Sequence, residues 1–131
     1  MIRTPLEIEI PAIYALYEQR NYKGEVLQYS ENSFRDCLNR IRVYLINDKV
    51  VGFILFYDMG RWCFIDLLSI DKEYRNKGIA TELVKSLSDF KQWHYVFTSV
   101  VLEDEKALSF VDKCGFKKNN QLTHWFYREN N

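Results

Sequence analysis

The sequence predicts a mixed α/β (α+β) fold, a layered sandwich built on a mixed sheet. Three observations carry that prediction. Runs rich in β-branched and aromatic residues fill Arg42 to Ile70 and are separated by short turns. From Ile79 the hydrophobic period changes from two residues to about 3.6. Strand-like and helix-like runs then alternate along the rest of the chain.

Taken in order, Met1 to Thr4 is a short first strand. Ile10, Ile13, Tyr14 and Tyr17 recur at helical spacing from about Pro11, and proline suits a first helical turn. Asn21 to Ser30 is polar, contains Gly24 and reads as a loop. Asn32 or Ser33 then caps a second helix with Phe34, Leu38 and Ile41 on its inner face. A β-meander follows. Arg42 to Ile46 and Val50 to Asp58 are strands around the turn Asn47-Asp48-Lys49, and Met59-Gly60-Arg61 turns into Trp62 to Ile70. Ile79, Ala80, Leu83, Val84, Leu87 and Phe90 form the apolar stripe of an amphipathic helix. Tyr95 to Leu102 is β-rich. Glu105 to Cys114 is helical and stopped by Gly115, and Phe116 to Arg128 is a hairpin turning at Asn119-Asn120.

The chain has 131 residues, one domain's worth, and 47% are hydrophobic, enough to build a core without staples. No repeat or linker divides it, so residues 1–131 are read as one domain. Its 18 Lys+Arg balance 18 Asp+Glu, which argues against a nucleic-acid partner. Cys37, Cys63 and Cys114 are odd in number and widely spaced, with no CxxC pair and no Cys/His cluster. They suggest neither a disulfide framework nor a metal site, and fit free thiols in a reducing cytoplasm. The first ten residues lack the apolar core of a signal peptide. The longest apolar run, Val50 to Tyr57, is too short to span a bilayer. The expected protein is soluble and cytoplasmic, without a membrane partner, and a monomer or homodimer.

The most informative stretch runs from Ser69 to Ala80. A strand ends near Ile70 and a helix starts near Gly78, with Arg75 and Lys77 between them. A helix N-terminus carries unpaired N–H groups and a partial positive charge. Small residues at Gly78 and Ala80 let an anion approach those groups, so the loop suits a diphosphate. The same residues also fit an ordinary strand-to-helix turn with solvated cations. Walker-type and dinucleotide glycine fingerprints are missing.

Arg75-Asn76-Lys77-Gly78-Ile79-Ala80 resembles the (Q/R)-x-x-G-x-(G/A) loop of the GNAT superfamily of N-acyltransferases. Leu68-Ser69-Ile70 is similar to the strand end that precedes it there. Ala107 to Phe116 is similar to the family's A-x-x-L-Y-x-K-x-G-F helix. The resemblance implies a GNAT-like splayed sheet of about six to seven strands flanked by about four helices. It implies acetyl-CoA as acyl donor and an amine acceptor, joined in a ternary complex. Leu68, Ser69 and Ile70 would pair through their backbones with the pantetheine arm. Arg75, Asn76, Lys77, Gly78, Ile79 and Ala80 would hold the pyrophosphate, and Asp104, Ala107 and Phe110 would complete the CoA site.

Acyl transfer needs a neutral amine, an oxyanion donor and a route for the thiolate proton. Asp66 is the candidate base. It lies in an otherwise apolar strand, where a carboxylate partly withdrawn from water is a stronger base. It also suits a structural or substrate-binding role. The Leu68 N–H is the candidate oxyanion donor. The family's usual acid, a tyrosine, falls at Val111, which cannot donate a proton. Tyr127, Tyr95 or water would replace it, or the thiolate would leave unaided. His94 and His124 read as strand or surface residues, and Cys114 as core. Glu18, Glu25, Glu31 and Asp36, with Tyr22 and Tyr29, are acceptor-binding candidates or a solvated face. Val111 also motivates an alternative, a CoA-binding regulatory or interaction module without turnover.

Overall fold

The computed structural model describes residues 1–19, 29–99, 105–118 and 125–129. The elements are β1 (Ile2–Arg3), α1 (Ile10–Gln19), α2 (Glu31–Arg35), β2 (Ile41–Ile46), β3 (Lys49–Met59) and β4 (Trp62–Ile70). They continue with α3 (Ile79–Phe90), β5 (Tyr95–Ser99), α4 (Glu105–Lys113), β6 (Lys117–Lys118) and β7 (Trp125–Glu129). The strands hydrogen-bond in the order β1-β2-β3-β4-β5-β7-β6. This is the predicted mixed α+β class, with the elements in the predicted order.

Two compact units are interleaved along the chain. One comprises Met1–Leu55 and Leu67–Ser86, the other Phe56–Asp66 and Leu87–Asn131, so β3, β4 and α3 each run through both. In the first unit, β1, β2 and β3 are antiparallel. Asn47 and Asp48 both take positive φ, the left-handed pair that a tight hairpin between right-twisted strands demands. Lys49, expected in that turn, already belongs to β3. The β2–β3 register slips between Tyr44 and Leu45, with Tyr44 facing Gly52 and Leu45 facing Val50. Val51 is therefore the extra residue of a β-bulge.

The core of this unit packs Ile10, Ile13 and Leu16 of α1 and Phe34 of α2 against Val43, Phe53 and Leu67, all buried. Phe34 meets Tyr17 edge-on and stacks on Tyr29, both with ring centroids 5.5 Å apart. Such pairs contribute about 0.5–1.5 kcal/mol each beyond the area they bury.

The second helix differs from the sequence expectation. Ser30 is the cap, and its Oγ accepts from the Ser33 amide at 3.3 Å while Ser33 Oγ accepts from the Ser30 amide at 3.0 Å. Ser33 is thus the reciprocal partner in a capping box. The helix stops at Arg35, Leu38–Arg40 is a 3₁₀ turn, and Ile41 opens β2. Phe34 and Ile41 still point into the core. A shared inward direction, made by two different elements, imitates one helical face.

In the second unit β4 and β5 are parallel, Trp62 to Ile65 facing Tyr95 to Thr98. β7 pairs antiparallel with β5 and with β6. Lys118 faces Phe126, and the expected turn at Asn119-Asn120 lies outside the described residues. Trp93 is buried, and its Nε1–H donates to Asp58 at 2.9 Å. Asp58 also accepts from Lys91 Nζ at 3.1 Å and from the Gly60 amide at 3.0 Å. The Trp93 and Lys91 hydrogen bonds hold the Asp58 carboxyl below the usual range. Phe90, expected in the buried stripe, is half exposed and lies against Phe56 and Trp93 at its rim. On α4 the Phe116 amide donates to the Val111 carbonyl and Gly115 takes positive φ, the left-handed helix ending its sequence suggests.

Candidate active site

β4 alternates strictly. Cys63, Ile65, Leu67 and Ser69 are buried, whereas Phe64, Asp66, Leu68 and Ile70 are half-buried on the other face. Asp66 and Leu68 therefore share a face, two residues or roughly 7 Å apart along the strand. The β5 ladder reaches Ile65, and Thr98 Oγ1 donates to the Ile65 carbonyl at 3.4 Å; β4 continues to Ile70. The Ser69 hydroxyl is buried without a hydrogen-bond partner among the described residues.

Past Ile70 the backbone changes character twice. The first part is tied down. The Asp71 amide donates to the Val51 carbonyl at 2.8 Å, the Lys72 amide to Gln19 Oε1 at 3.2 Å, and the Glu73 amide to Asp71 Oδ1 at 3.1 Å. The Tyr74 amide closes a 3₁₀ turn on the Asp71 carbonyl at 2.8 Å. The second part is different. Asn76 and Gly78 take φ of 64° and 81°, which aims successive amides away from regular pairing. The first α-helical bond runs from the Glu82 amide to the Gly78 carbonyl at 3.0 Å. Among the described residues, no side chain caps this helix and no turn bond ends on the amides of Asn76 to Ala80. These are the donors that an anion can take.

The side chains agree with that use. Arg75, Asn76, Lys77 and Gly78 are exposed, Ala80 is half-buried, and Ile79 anchors the helix in the core at 4% exposure. Arg75 Nε donates to the Ile70 carbonyl at 3.0 Å, which folds the guanidinium back over the loop. A Cβ at Gly78 would meet nothing within 4 Å, so approach is open, and the positive φ independently favours glycine. The acidic residue of the first helical turn, Glu82, hydrogen-bonds the Tyr44 hydroxyl. That bond, aided by partial burial, raises the Tyr44 pKa.

The other candidates are placed less completely. Phe110 is half-buried on α4, Ala107 lies in the same helix, and Asp104 falls outside the described residues. Val111, at the tyrosine position of the motif, is buried at 5% exposure and serves the core. Tyr95 faces Trp62, the first residue of β4. Tyr127 faces Phe97, which faces Phe64. Burial, with the Asp58 charge adding to it, pushes the Cys63 thiol up to about 12 and makes it inert. Glu18, Glu31 and Asp36 are exposed, Tyr29 packs on the aromatic core, and Tyr22 and Glu25 lie outside the described residues. His94 is exposed, while His124 is likewise undescribed.

Sequence reasoning missed Gly52. A Cβ there would lie 2.7 Å from Ile70 Cδ1, 3.3 Å from the Ser69 carbonyl and 3.5 Å from Ile79 Cγ2. Gly52 thus makes room for both ends of the loop. An isolated glycine inside a strand pattern was the available signal.

The family model for the GNAT acetyltransferases matches residues 9–116. The chain belongs to this family. This GNAT protein is 29% identical over 118 residues to N-alpha-acetyltransferase 30 of Schizosaccharomyces pombe, across 84% of this chain and 73% of the relative. Its fold is shared with Ard1 from Thermoplasma volcanium, with a TM-score of 0.83 at 21% identity over 100% of this chain and 97% of that one. It is also shared with the PaiA N-acetyltransferase from Thermoplasma acidophilum, solved with coenzyme A, with a TM-score of 0.85 at 15% identity over 98% of each chain. As a GNAT member the chain is an acetyl-CoA-dependent N-acetyltransferase, with acetyl-CoA as its co-substrate. Among the described residues no His, Cys, Asp or Glu cluster is arranged to hold a metal, and no helix is long and apolar enough to cross a membrane.

Proposed function

We infer that this GNAT enzyme acts as a single catalytic domain and acetylates the primary amine of a peptide or small molecule by direct transfer in a ternary complex. The observation that carries the reading is the run of uncapped amides from Asn76 to Ala80 beside Arg75 and Lys77. They receive the pyrophosphate of acetyl-CoA, and the helix dipole adds to their charge. Leu68, Ser69 and Ile70 pair with the pantetheine arm as a further strand would, and Asp104, Ala107 and Phe110 complete its binding. The acceptor nitrogen attacks the thioester carbonyl, a C–N bond forms and the C–S bond breaks. Asp66 takes the amine proton, and the Leu68 N–H stabilises the oxyanion, a contribution of about 3–4 kcal/mol for a well-placed donor. Buried Val111 leaves α4 without a hydroxyl at the motif's tyrosine position, so water protonates the departing thiolate.

The relative from S. pombe is named for N-alpha acetylation, which supports a peptide α-amine as the acceptor. The test is thiol release from acetyl-CoA with three acceptors: peptides bearing only a free α-amine, peptides bearing only a lysine amine, and small primary amines. Turnover on the first supports the peptide reading. Thermal stabilisation by CoA without thiol release on any acceptor would favour the non-catalytic CoA-binding module that Val111 motivates.

A further inference from the structure

The first residue of β3, Lys49, reaches the loop from the β2–β3 hairpin. Its Nζ lies 5.4 Å from the centroid of the Tyr74 ring, and Lys77 Nζ lies 5.6 Å from the same centroid. Two ammonium groups therefore share one half-buried ring that immediately precedes Arg75. Cation–π attraction offsets part of their mutual repulsion. The only carboxylate paired with either among the described residues is Asp71, whose Oδ2 is 3.9 Å from Lys49 Nζ, the limit of an ion pair. Asp71 is buried and already engaged at the Glu73 amide, whereas Lys49 is 57% exposed. The pair of lysines thus keeps positive charge turned toward solvent beside the uncapped amides.

We propose that Lys49 and Lys77, held by Tyr74, form a second anion subsite that binds the 3′-phosphomonoester of coenzyme A. The proposal rests on the loop being the pyrophosphate site. A diphosphate occupies the amides, and the carrier's remaining dianion needs cations of its own. A monoester carries about −1.5 to −2 charge near neutral pH, more than either phosphate of the diphosphate does alone. Two point charges on flexible stems suit such a group. Adjacent elements supply them, one from the hairpin and one from the loop, with Asp71 orienting Lys49.

Calorimetry with CoA and 3′-dephospho-CoA tests this on wild type, Lys49→Met and Lys49→Arg. Wild type should prefer CoA. Lys49→Met should weaken CoA roughly two- to five-fold, as expected for a partly exposed ion pair. It should leave dephospho-CoA unchanged, and Lys49→Arg should restore the preference. Equal loss for both ligands, or no loss for either, overturns the proposal. A wild type that binds neither ligand would refute the loop reading itself, a distinct outcome. Unchanged melting temperature of the Lys49→Met protein separates lost ligation from a disturbed Asp71 turn, and a drop in melting together with equal loss counts against the subsite.

Discussion

Replacing Gly52 by alanine probes the packing beneath the loop that joins β4 to α3. The new methyl carbon would sit 2.7 Å from Ile70 Cδ1, inside any normal contact, and 3.3 Å from the Ser69 carbonyl. Overpacking costs typically 1–3 kcal/mol. The nearest atom is the tip of a flexible side chain, which places the cost near the lower end, about 1.5 kcal/mol. Loss of glycine's freedom in the unfolded chain offsets about 0.5 kcal/mol. The net of about 1 kcal/mol lowers the melting temperature by about 3–4 °C, since 131 residues carry an unfolding entropy near 0.28 kcal/mol/K. Ile70→Val removes the clashing δ-methyl and alone costs about 0.5–1 kcal/mol at this half-buried site. The double variant should be more stable than the sum of the single changes predicts, by about 1 kcal/mol. Urea or thermal unfolding of all four proteins supplies the cycle. Additivity within about 0.3 kcal/mol would refute the contact.

Gly78→Glu should abolish CoA binding by calorimetry while leaving the protein folded, because the new side chain enters open space with the wrong charge. It also carries about 1–3 kcal/mol of left-handed strain, so Gly78→Ala, equally strained but uncharged, should keep most of the affinity. Asp66→Asn should lose turnover by at least about 100-fold, the lower range for general-base catalysis, with CoA affinity retained; full activity removes it as the base. Asp58 has a depressed native pKa, so its contribution is complete above the unfolded value near 3.9 and fades as pH falls through the native one. Melting curves of wild type and Asp58→Asn should accordingly converge in strong acid and differ most near neutrality. A gap that persists at the lowest pH would place the effect elsewhere.

Elements whose signal is local were legible in the sequence. β4 and α3 match the expected bounds within a residue, since β-rich content between short turns and a helical stripe are written in consecutive side chains. The loop was legible for the same reason, as glycine and the cations that surround it are neighbours along the chain. α2 was read too long, because Phe34 and Ile41 share an inward direction but belong to a short helix and a strand that tertiary packing alone aligns. Gly52 and Lys49 escaped for a similar reason. Each touches the loop from a strand some twenty residues earlier, and only the pairing of β3 with the segment after β4 reveals it. Phe90 kept its place in the stripe and lost its burial, because a helix's last turn can outrun the surface it covers.

The Val51 bulge fixes more than a local kink. Its carbonyl receives the Asp71 amide, and the adjoining Gly52 opens the space that Ile70 and Ile79 fill, so two landmarks of the hairpin are locked to two landmarks of the loop. Deleting the bulged residue would let β2 and β3 pair in regular register but remove the carbonyl that receives the Asp71 amide, and inserting another would shift that carbonyl along the strand. Length in this stretch is therefore the property under constraint, and indels should be far rarer here than changes of side chain.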